Sequence, residues 1–203
     1  NVLTIAVSKG YLLQEALKLF EKAGIRFPKD FGQSRKLFVF DQTKTIRLLQ
    51  VRPWDVPEYV EQGAADLGIA GLDVLLEKQS AVARLKSLDF GHCKLVLAGP
   101  NHFKKEQLTH NIRVATKYAR SAERYFQQAW IKVKLIQLYG AIELAPITGL
   151  SDIICDLTAT GNTLKEHHLD IVDTVFDSTA QLIANPVGLK FKYEQIQSLV
   201  SAL

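Results

Sequence analysis

Only two cysteines, Cys93 and Cys155, occur in the 203 residues. Two thiols supply neither a disulfide framework nor a metal-ligand cluster. Both lie in apolar segments and read as buried free thiols, which suits a reducing cytoplasm. Long apolar runs are missing too, so no segment is long enough to span a bilayer. The opening Asn1-Val-Leu-Thr-Ile-Ala-Val7 has no basic region before its apolar run, and Lys9-Gly10 closes that run early. It reads as a first strand rather than an export signal. Excess charge of one sign is small: 25 Lys and Arg against 21 Asp and Glu leave +4, spread without a long basic run. Neither a nucleic acid nor a membrane is therefore an expected partner. Basic residues facing phosphorylated small molecules account for the excess equally well. There are no internal repeats, no low-complexity tracts, no serine–histidine–acid pattern and no histidines at metal spacing. Neither a covalent nucleophile nor a protein-held metal is expected.

What is present is the ordinary material of a globular chain. Hydrophobic residues make up 47%, and the length suits one large domain or two small ones. Val2 to Val7 reads as a buried strand, and Leu12, Leu13, Leu17, Phe20 and Ala23 recur at helical spacing before Gly24. Leu37 to Phe40 and Thr45 to Val51 read as two strands around a turn. A helix from Val56 to Gly63 follows, with Pro53 near its start and Asp55 as its cap. Asp66 to Gly71 is a strand and Leu72 to Lys78 a short helix. Val82 to Leu88 and Lys94 to Ala98 are strands, the second broken off by Gly99-Pro-Asn101. Strand and helix then alternate again: Ile112 to Ala115, Ala122 to Ala129, Val133 to Leu138 and Gly140 to Leu144. Ile171 to Ile183 reads as one long strand, Phe191 to Leu203 as a closing amphipathic helix, and His167-His168 as a solvated helix pair. Alternation of this kind defines an α/β protein. A crossing near Phe90 to Cys93 and a return along the long strand divide the chain into lobe I, 1–91 plus 180–203, and lobe II, 92–179. Two crossings would place a ligand cleft between the lobes.

One stretch carries the most chemistry: Asp152-Ile-Ile-Cys-Asp-Leu-Thr-Ala-Thr-Gly-Asn-Thr-Leu164. It reads as a buried strand, a turn of small and hydroxyl residues, and a helix start. Such a turn presents backbone N–H groups without intrahelical partners, and the helix dipole adds partial positive charge. A phosphate fits there, with threonine hydroxyls as further donors. Gly161 would let the backbone approach a ligand, and Asp156 could accept hydrogen bonds from sugar hydroxyls. Thr or Asn acting as an ordinary helix cap would select the same residue types.

Asp156-Leu-Thr-Ala-Thr-Gly-Asn-Thr-Leu164 resembles the phosphoribosyl-pyrophosphate loop of the ATP phosphoribosyltransferase family, the first enzyme of histidine biosynthesis. Six further segments resemble that family in its order: Leu3 to Gly10, Ser34 to Leu37, Leu49 to Pro57, Gly63 to Asp73, Arg113 to Tyr118, and Leu138 to Pro146. The resemblance implies two lobes of the type II periplasmic-binding-protein fold. It also implies transfer of the phosphoribosyl group of phosphoribosyl pyrophosphate to N1 of ATP, releasing pyrophosphate. By the same resemblance Thr158, Ala159, Thr160, Gly161, Asn162 and Thr163 hold the 5′-phosphate, and Asp156 holds the ribose hydroxyls. Lys9 and Arg35 face the pyrophosphate as catalytic residues, and Arg52, Asp73 and Glu143 face ATP. Mg²⁺ is expected to travel with the two polyanions. The chain stops at Leu203, which resembles the short form that lacks a C-terminal regulatory domain. Short forms imply a regulatory partner similar to histidyl-tRNA synthetase and a homodimer within a hetero-octamer, in the cytoplasm. The chain departs from the pattern at Tyr11, where the family usually has arginine; tyrosine carries no positive charge at neutral pH. That departure keeps a non-catalytic paralogue in view, and the fold keeps a small-anion solute-binding module in view.

Overall fold

The computed structural model describes residues 2–203, which group into two compact units. The first runs to Gly91 and resumes at Thr179–Leu203, and the second is His92–Ser178. The first opens with β1 (Leu3–Ser8), α1 (Tyr11–Lys22), β2 (Phe38–Phe40), β3 (Ile46–Val51), α2 (Val56–Glu61), β4 (Leu67–Gly71), α3 (Leu72–Lys78) and β5 (Ala83–Ser87). The second holds β6 (Cys93–Pro100), β7 (Arg113–Thr116), α4 (Ala119–Gln128), β8 (Lys134–Gln137), α5 (Leu144–Ile147), β9 (Ile153–Thr158), α6 (Asn162–Glu166) and β10 (Leu169–Ser178). The first unit then closes with β11 (Ala180–Ala184), α7 (Pro186–Phe191) and α8 (Tyr193–Ala202).

The sheet of the first unit runs β2-β3-β1-β4-β11-β5. β1 lies parallel to both β3 and β4, and all six of its residues are buried. A parallel strand covered on both faces demands such a run. Leu3, Ile5 and Val7 point to one face, where they pack with Leu13, Ala16 and Phe20 of α1. Ala6 points to the other and packs with Val56 and Val60 of α2. The period of two along the strand thus meets an apolar stripe of helical spacing on each side.

The sheet of the second unit runs β10-β6-β9-β7-β8. β9, β7 and β8 are parallel; β6 runs antiparallel to β9, and β10 antiparallel to β6. Val96, Ala98, Ala115 and Ile154 share one face of this sheet and pack with Ile142, Ala145 and Leu164.

Each parallel set is pinned at its amino edge by an aspartate. Asp66, just before β4, donates its amide to the Thr4 carbonyl (2.9 Å) and accepts the Thr4 amide on its carboxylate (2.8 Å). Asp152, just before β9, does the same with Arg113: its amide reaches the Arg113 carbonyl at 2.9 Å, and its carboxylate accepts the Arg113 amide at 2.8 Å. A cation neutralises each carboxylate, Lys192 at 2.8 Å from Asp66 and the Arg113 guanidinium at 2.8 Å from Asp152. The Arg113 guanidinium holds the Asp152 carboxyl below the usual carboxylate range.

Five expectations from the sequence are corrected. The stretch Ile171 to Ile183 is not one strand: the chain leaves one sheet at Ser178 and enters the other at Ala180. Register irregularities at Ile171/Asp173 and Thr174/Phe176 in β10 account for its imperfect alternation. Gly99 and Pro100 do not break β6, because β9 pairs with it only as far as Ala98 and beyond that only β10 does. Proline is tolerated at such a strand end. The closing helix, α8, is preceded by another that was not expected; Asn185 caps this α7 by accepting from the Val187 and Gly188 amides at 3.0 and 2.7 Å. Pro57 rather than Pro53 lies in the first turn of α2, and Asp55, at the cap position, makes no side-chain cap bond. Lastly, α6 spans Asn162–Glu166, so His167 and His168 form the turn after it. Among the described residues neither cysteine forms a disulfide; Cys155 is buried and Cys93 half-buried.

Removing the carboxylate at Asp66 leaves the Thr4 amide without that acceptor and breaks the ion pair of Lys192, which keeps the Val2 carbonyl at 3.1 Å. Asp66→Ala is expected to lower the unfolding free energy in urea by about 1–3 kcal/mol. Asp66→Asn, which keeps an acceptor for the Thr4 amide, should lose less than half as much.

Candidate active site

Parallel pairing decides where the charged residues lie. Ser8 of β1 stands opposite Val51 of β3, and Val7 opposite Ile69 of β4. The next positions along the three strands are Lys9, Arg52 and Gly71, and the Lys9 amide donates to the Val51 carbonyl at 3.0 Å. Arg35 joins them from the antiparallel side. It lies three residues before Phe38, where β2 starts, and Leu37 accepts from the Gln50 amide at 2.8 Å. Lys9, Arg35 and Arg52 are all exposed. Three cations therefore converge on the carboxyl edge of one sheet, the edge where α/β proteins bind ligands. A pocket of about 320 Å³ opens beside Arg52, with Leu37, Phe38, Leu49 and Val51 as apolar lining. A larger pocket, about 800 Å³ around Leu17, Ile25 and Phe27, contains none of these residues.

Asp73 lies at the same edge, in the first turn of α3, and is 5% exposed. Its carboxylate folds back over the start of the helix. A Cβ at Gly71 would lie 2.2 Å from Asp73 Oδ1, so the glycine makes room for this close approach. Tyr11 opens α1 and is 60% exposed.

The second unit repeats the arrangement. β7, β8 and β9 end at one edge, and the loop 159–161 leads from β9 into α6. Gly161 sits at the helix mouth with φ +79°, a left-handed conformation that glycine adopts without strain. Nothing lies within 4 Å of where a Cβ would stand, so conformation rather than crowding requires glycine. The loop braces itself: Thr158 Oγ1 accepts from the Gly161 amide at 2.8 Å, and Thr160 Oγ1 from the Asn162 amide at 3.3 Å. Ala159, Thr160, Asn162 and Thr163 are exposed.

Asp156 lies on β9 two residues before the loop, half-buried, with Oδ1 accepting from the Leu157 amide at 2.8 Å. Burial pushes its carboxyl up to about 6; the Leu157 amide opposes this, the Glu143 carboxylate adds to it and Lys117 offsets it. Glu143 is not inside a helix as expected, because α5 starts one residue later and Glu143 occupies its cap position. Ala141, with φ +48°, turns the chain just before it. Lys117, directly after β7, was passed over as a site residue. Its only sequence signal was its place in the segment Arg113 to Tyr118, at a strand's carboxyl end. Among the described residues, no group of three or more His, Cys, Asp or Glu could hold a metal. No helix among them is long and apolar enough to cross a membrane.

Each unit thus carries, at the carboxyl edge of its own parallel strands, groups of a kind that suits phosphorylated small molecules: cations in the first, a glycine-hinged hydroxyl loop in the second. Comparison with known proteins is more specific. A sequence model of the family HisG, ATP phosphoribosyltransferase, matches residues 52–203. An ATP phosphoribosyltransferase of Thermoanaerobacter sp. (strain X514) is 46% identical over 203 residues, spanning 99% of this chain and 94% of its own. The structure also resembles one described as the ATP phosphoribosyl transferase (HisG:HisZ) complex from Thermotoga maritima, with TM-score 0.85, 35% identity, and 99% and 96% of the two chains covered. The alkanesulfonate-binding protein SsuA from Xanthomonas axonopodis pv. citri, bound to MOPS, shares the fold alone, with TM-score 0.63 at 12% identity over 98% of this chain and 71% of its own. The chain belongs to the ATP phosphoribosyltransferase family, and its two α/β units have the fold of the periplasmic solute binders.

Because the folded state raises the Asp156 carboxyl, its effect on stability is greatest below about pH 4, the unfolded value, and is lost as pH rises through about 6. Asp156→Asn removes that loss. The variant is expected to be more stable than the parent by about 2 kcal/mol at pH 8, with the gap closing between pH 6 and 4 in urea titrations.

Proposed function

We infer that this chain catalyses the first step of histidine biosynthesis, transferring the phosphoribosyl group of phosphoribosyl pyrophosphate to N1 of ATP. The family match over residues 52–203 carries this reading. N1 of ATP attacks C1 of the ribose, the bond from C1 to the pyrophosphate oxygen breaks, and C1 inverts. Positive charge develops on the ribose ring while negative charge grows on the departing pyrophosphate. The protein's tasks are to position two polyanions and to stabilise the leaving group.

In this proposal the loop 158–163 grips the 5′-phosphate, as the exposure of its hydroxyls supports. The phosphate takes over the Gly161 and Asn162 amides that the loop's own hydroxyls now hold. Those amides and the first-turn amides of α6 supply donors that need no side-chain charge. Asp156 accepts hydrogen bonds from the ribose hydroxyls. Lys9 and Arg35 stabilise the pyrophosphate, where a planar guanidinium suits phosphate oxygens. Arg52, Asp73 and Glu143 contact ATP. Mg²⁺ travelling with the substrates would neutralise part of their charge.

The reading extends to a regulatory partner similar to histidyl-tRNA synthetase, in a cytoplasmic hetero-octamer built on homodimers of this chain. Support comes from the Thermotoga maritima structure, whose description names a HisG:HisZ complex.

The test mixes the chain with ATP, phosphoribosyl pyrophosphate and Mg²⁺, with and without such a partner, and follows the absorbance of phosphoribosyl-ATP. Turnover is the expected result. Binding of both substrates without turnover under either condition would point instead to a non-catalytic paralogue, with Tyr11 as the first residue to restore to arginine. Two substitutions probe the roles. Arg35→Ala should lower kcat on the order of 10²–10³-fold while shifting stability by no more than about 0.5 kcal/mol; unchanged turnover removes Arg35 from the mechanism. Gly161→Val forces a β-branched residue into a left-handed conformation and should abolish binding of phosphoribosyl pyrophosphate in isothermal titration, with ATP affinity retained.

A further inference from the structure

Lys117 has a place in the second sheet that neither its exposure nor its neighbours in sequence reveal. Parallel pairing of β7 with β9 sets Val114 opposite Ile153, Ala115 opposite Ile154 and Thr116 opposite Cys155. One step further, Lys117 stands opposite Asp156. Side chains two residues apart on a strand share a face. Ala115 and Ile154 belong to one apolar cluster with Ile142 and Ala145. Lys117 and Asp156, each two residues on, therefore emerge from the same face at the carboxyl edge of that cluster. Glu143 lies between Ile142 and Ala145 and reaches the same place from the third side.

The surroundings of Asp156 are thus set by a few groups. On β7 it faces Lys117, before α5 it faces Glu143, and within its own strand it takes the Leu157 amide. On β6 its ladder partner is Val96, which has no charge. Lys94, two positions away on β6, is 3.9 Å from Asp177. Lys117 is half-buried and is the cation acting on Asp156, opposing both burial and Glu143.

We propose that Lys117 is a positioning residue of the ribose site, holding Asp156 as a carboxylate that can accept hydrogen bonds from two sugar hydroxyls at neutral pH. A protonated carboxyl gives one oxygen over to donation and accepts both hydroxyls more weakly than a carboxylate does. The proposal rests on the assignment of Asp156 to the ribose.

The experiment follows the Asp156 carboxyl by ¹³C NMR titration, assigned with Asp156→Asn, in the parent chain and in Lys117→Met, Lys117→Gln and Lys117→Arg. The neutral variants are expected to raise the Asp156 midpoint by about one pH unit or more, and the arginine variant to leave it near the parent value. In kinetics the KM for phosphoribosyl pyrophosphate should rise about tenfold in the neutral variants at about pH 5, below both midpoints, and about twofold at about pH 7. The loss should fade above pH 8, with the KM for ATP unmoved and arginine restoring the parent value. A midpoint that stays put in both neutral variants overturns the proposal. So does a midpoint that rises without any change in the sugar-substrate KM. A parent chain with no affinity for phosphoribosyl pyrophosphate overturns the ribose assignment itself, and the NMR titration then still reports on the Lys117–Asp156 pairing separately.

Discussion

Parallel pairing is the constraint on which the rest of this molecule depends. β1 with β3 and β4, and β7 with β8 and β9, each deliver several chain ends to one sheet edge. Residues as far apart in sequence as Lys9 and Arg52 become neighbours because Ser8 and Val51 share a register. The opposite edges are tied by Asp66 and Asp152, each exchanging two hydrogen bonds with the neighbouring strand. A one-residue slip in either set would break that exchange and turn every side chain to the wrong face. The aspartates at one edge therefore secure the geometry that the charged residues need at the other.

Electrostatics divides the labour between the units. Exposed cations dominate the edge of the first sheet, where Lys9, Arg35 and Arg52 lie. Water still solvates all three. The second sheet works with backbone amides, hydroxyls and a half-buried carboxylate. Burial there makes the Asp156 carboxylate costly to ionise, which is the usual mark of a group kept for function rather than for stability. The loop's own hydroxyls occupy two of its amides, so a ligand would exchange one acceptor for another and leave no buried donor bare.

Much of this was legible in the residues. β1 announced itself as an apolar run closed by Lys9-Gly10, α1 by its helical spacing, and β9 with its loop by a hydrophobic run ending in hydroxyls and glycine. These signals are local, and local burial decides them. The split between β10 and β11 was not legible, because Thr179 is no breaker and the two strands are separated only by the sheets they join. Asn185-Pro186 was a readable helix start that the amphipathic pattern after Phe191 obscured. Glu143 was placed within a helix because Gly140 looked like the boundary, whereas the turn falls at Ala141. The juxtaposition of Lys117 with Asp156 lies in no stretch of sequence at all; only a ladder between distant strands creates it.

The side chain of Asn185 joins two helices. Its amide nitrogen donates to the carbonyls of Val60 and Glu61 at 2.9 and 3.1 Å, closing the end of α2, while its oxygen caps α7. Conversion to aspartate would replace those two donors by an acceptor and set it against two carbonyl oxygens. Asparagine commonly ages to aspartate when the nitrogen of the following peptide bond attacks the side-chain amide and closes a succinimide ring. Pro186 follows Asn185, and its nitrogen bears no hydrogen. The imide route to aspartate is closed by the same residue that starts the helix, so this joint is guarded against that deamidation.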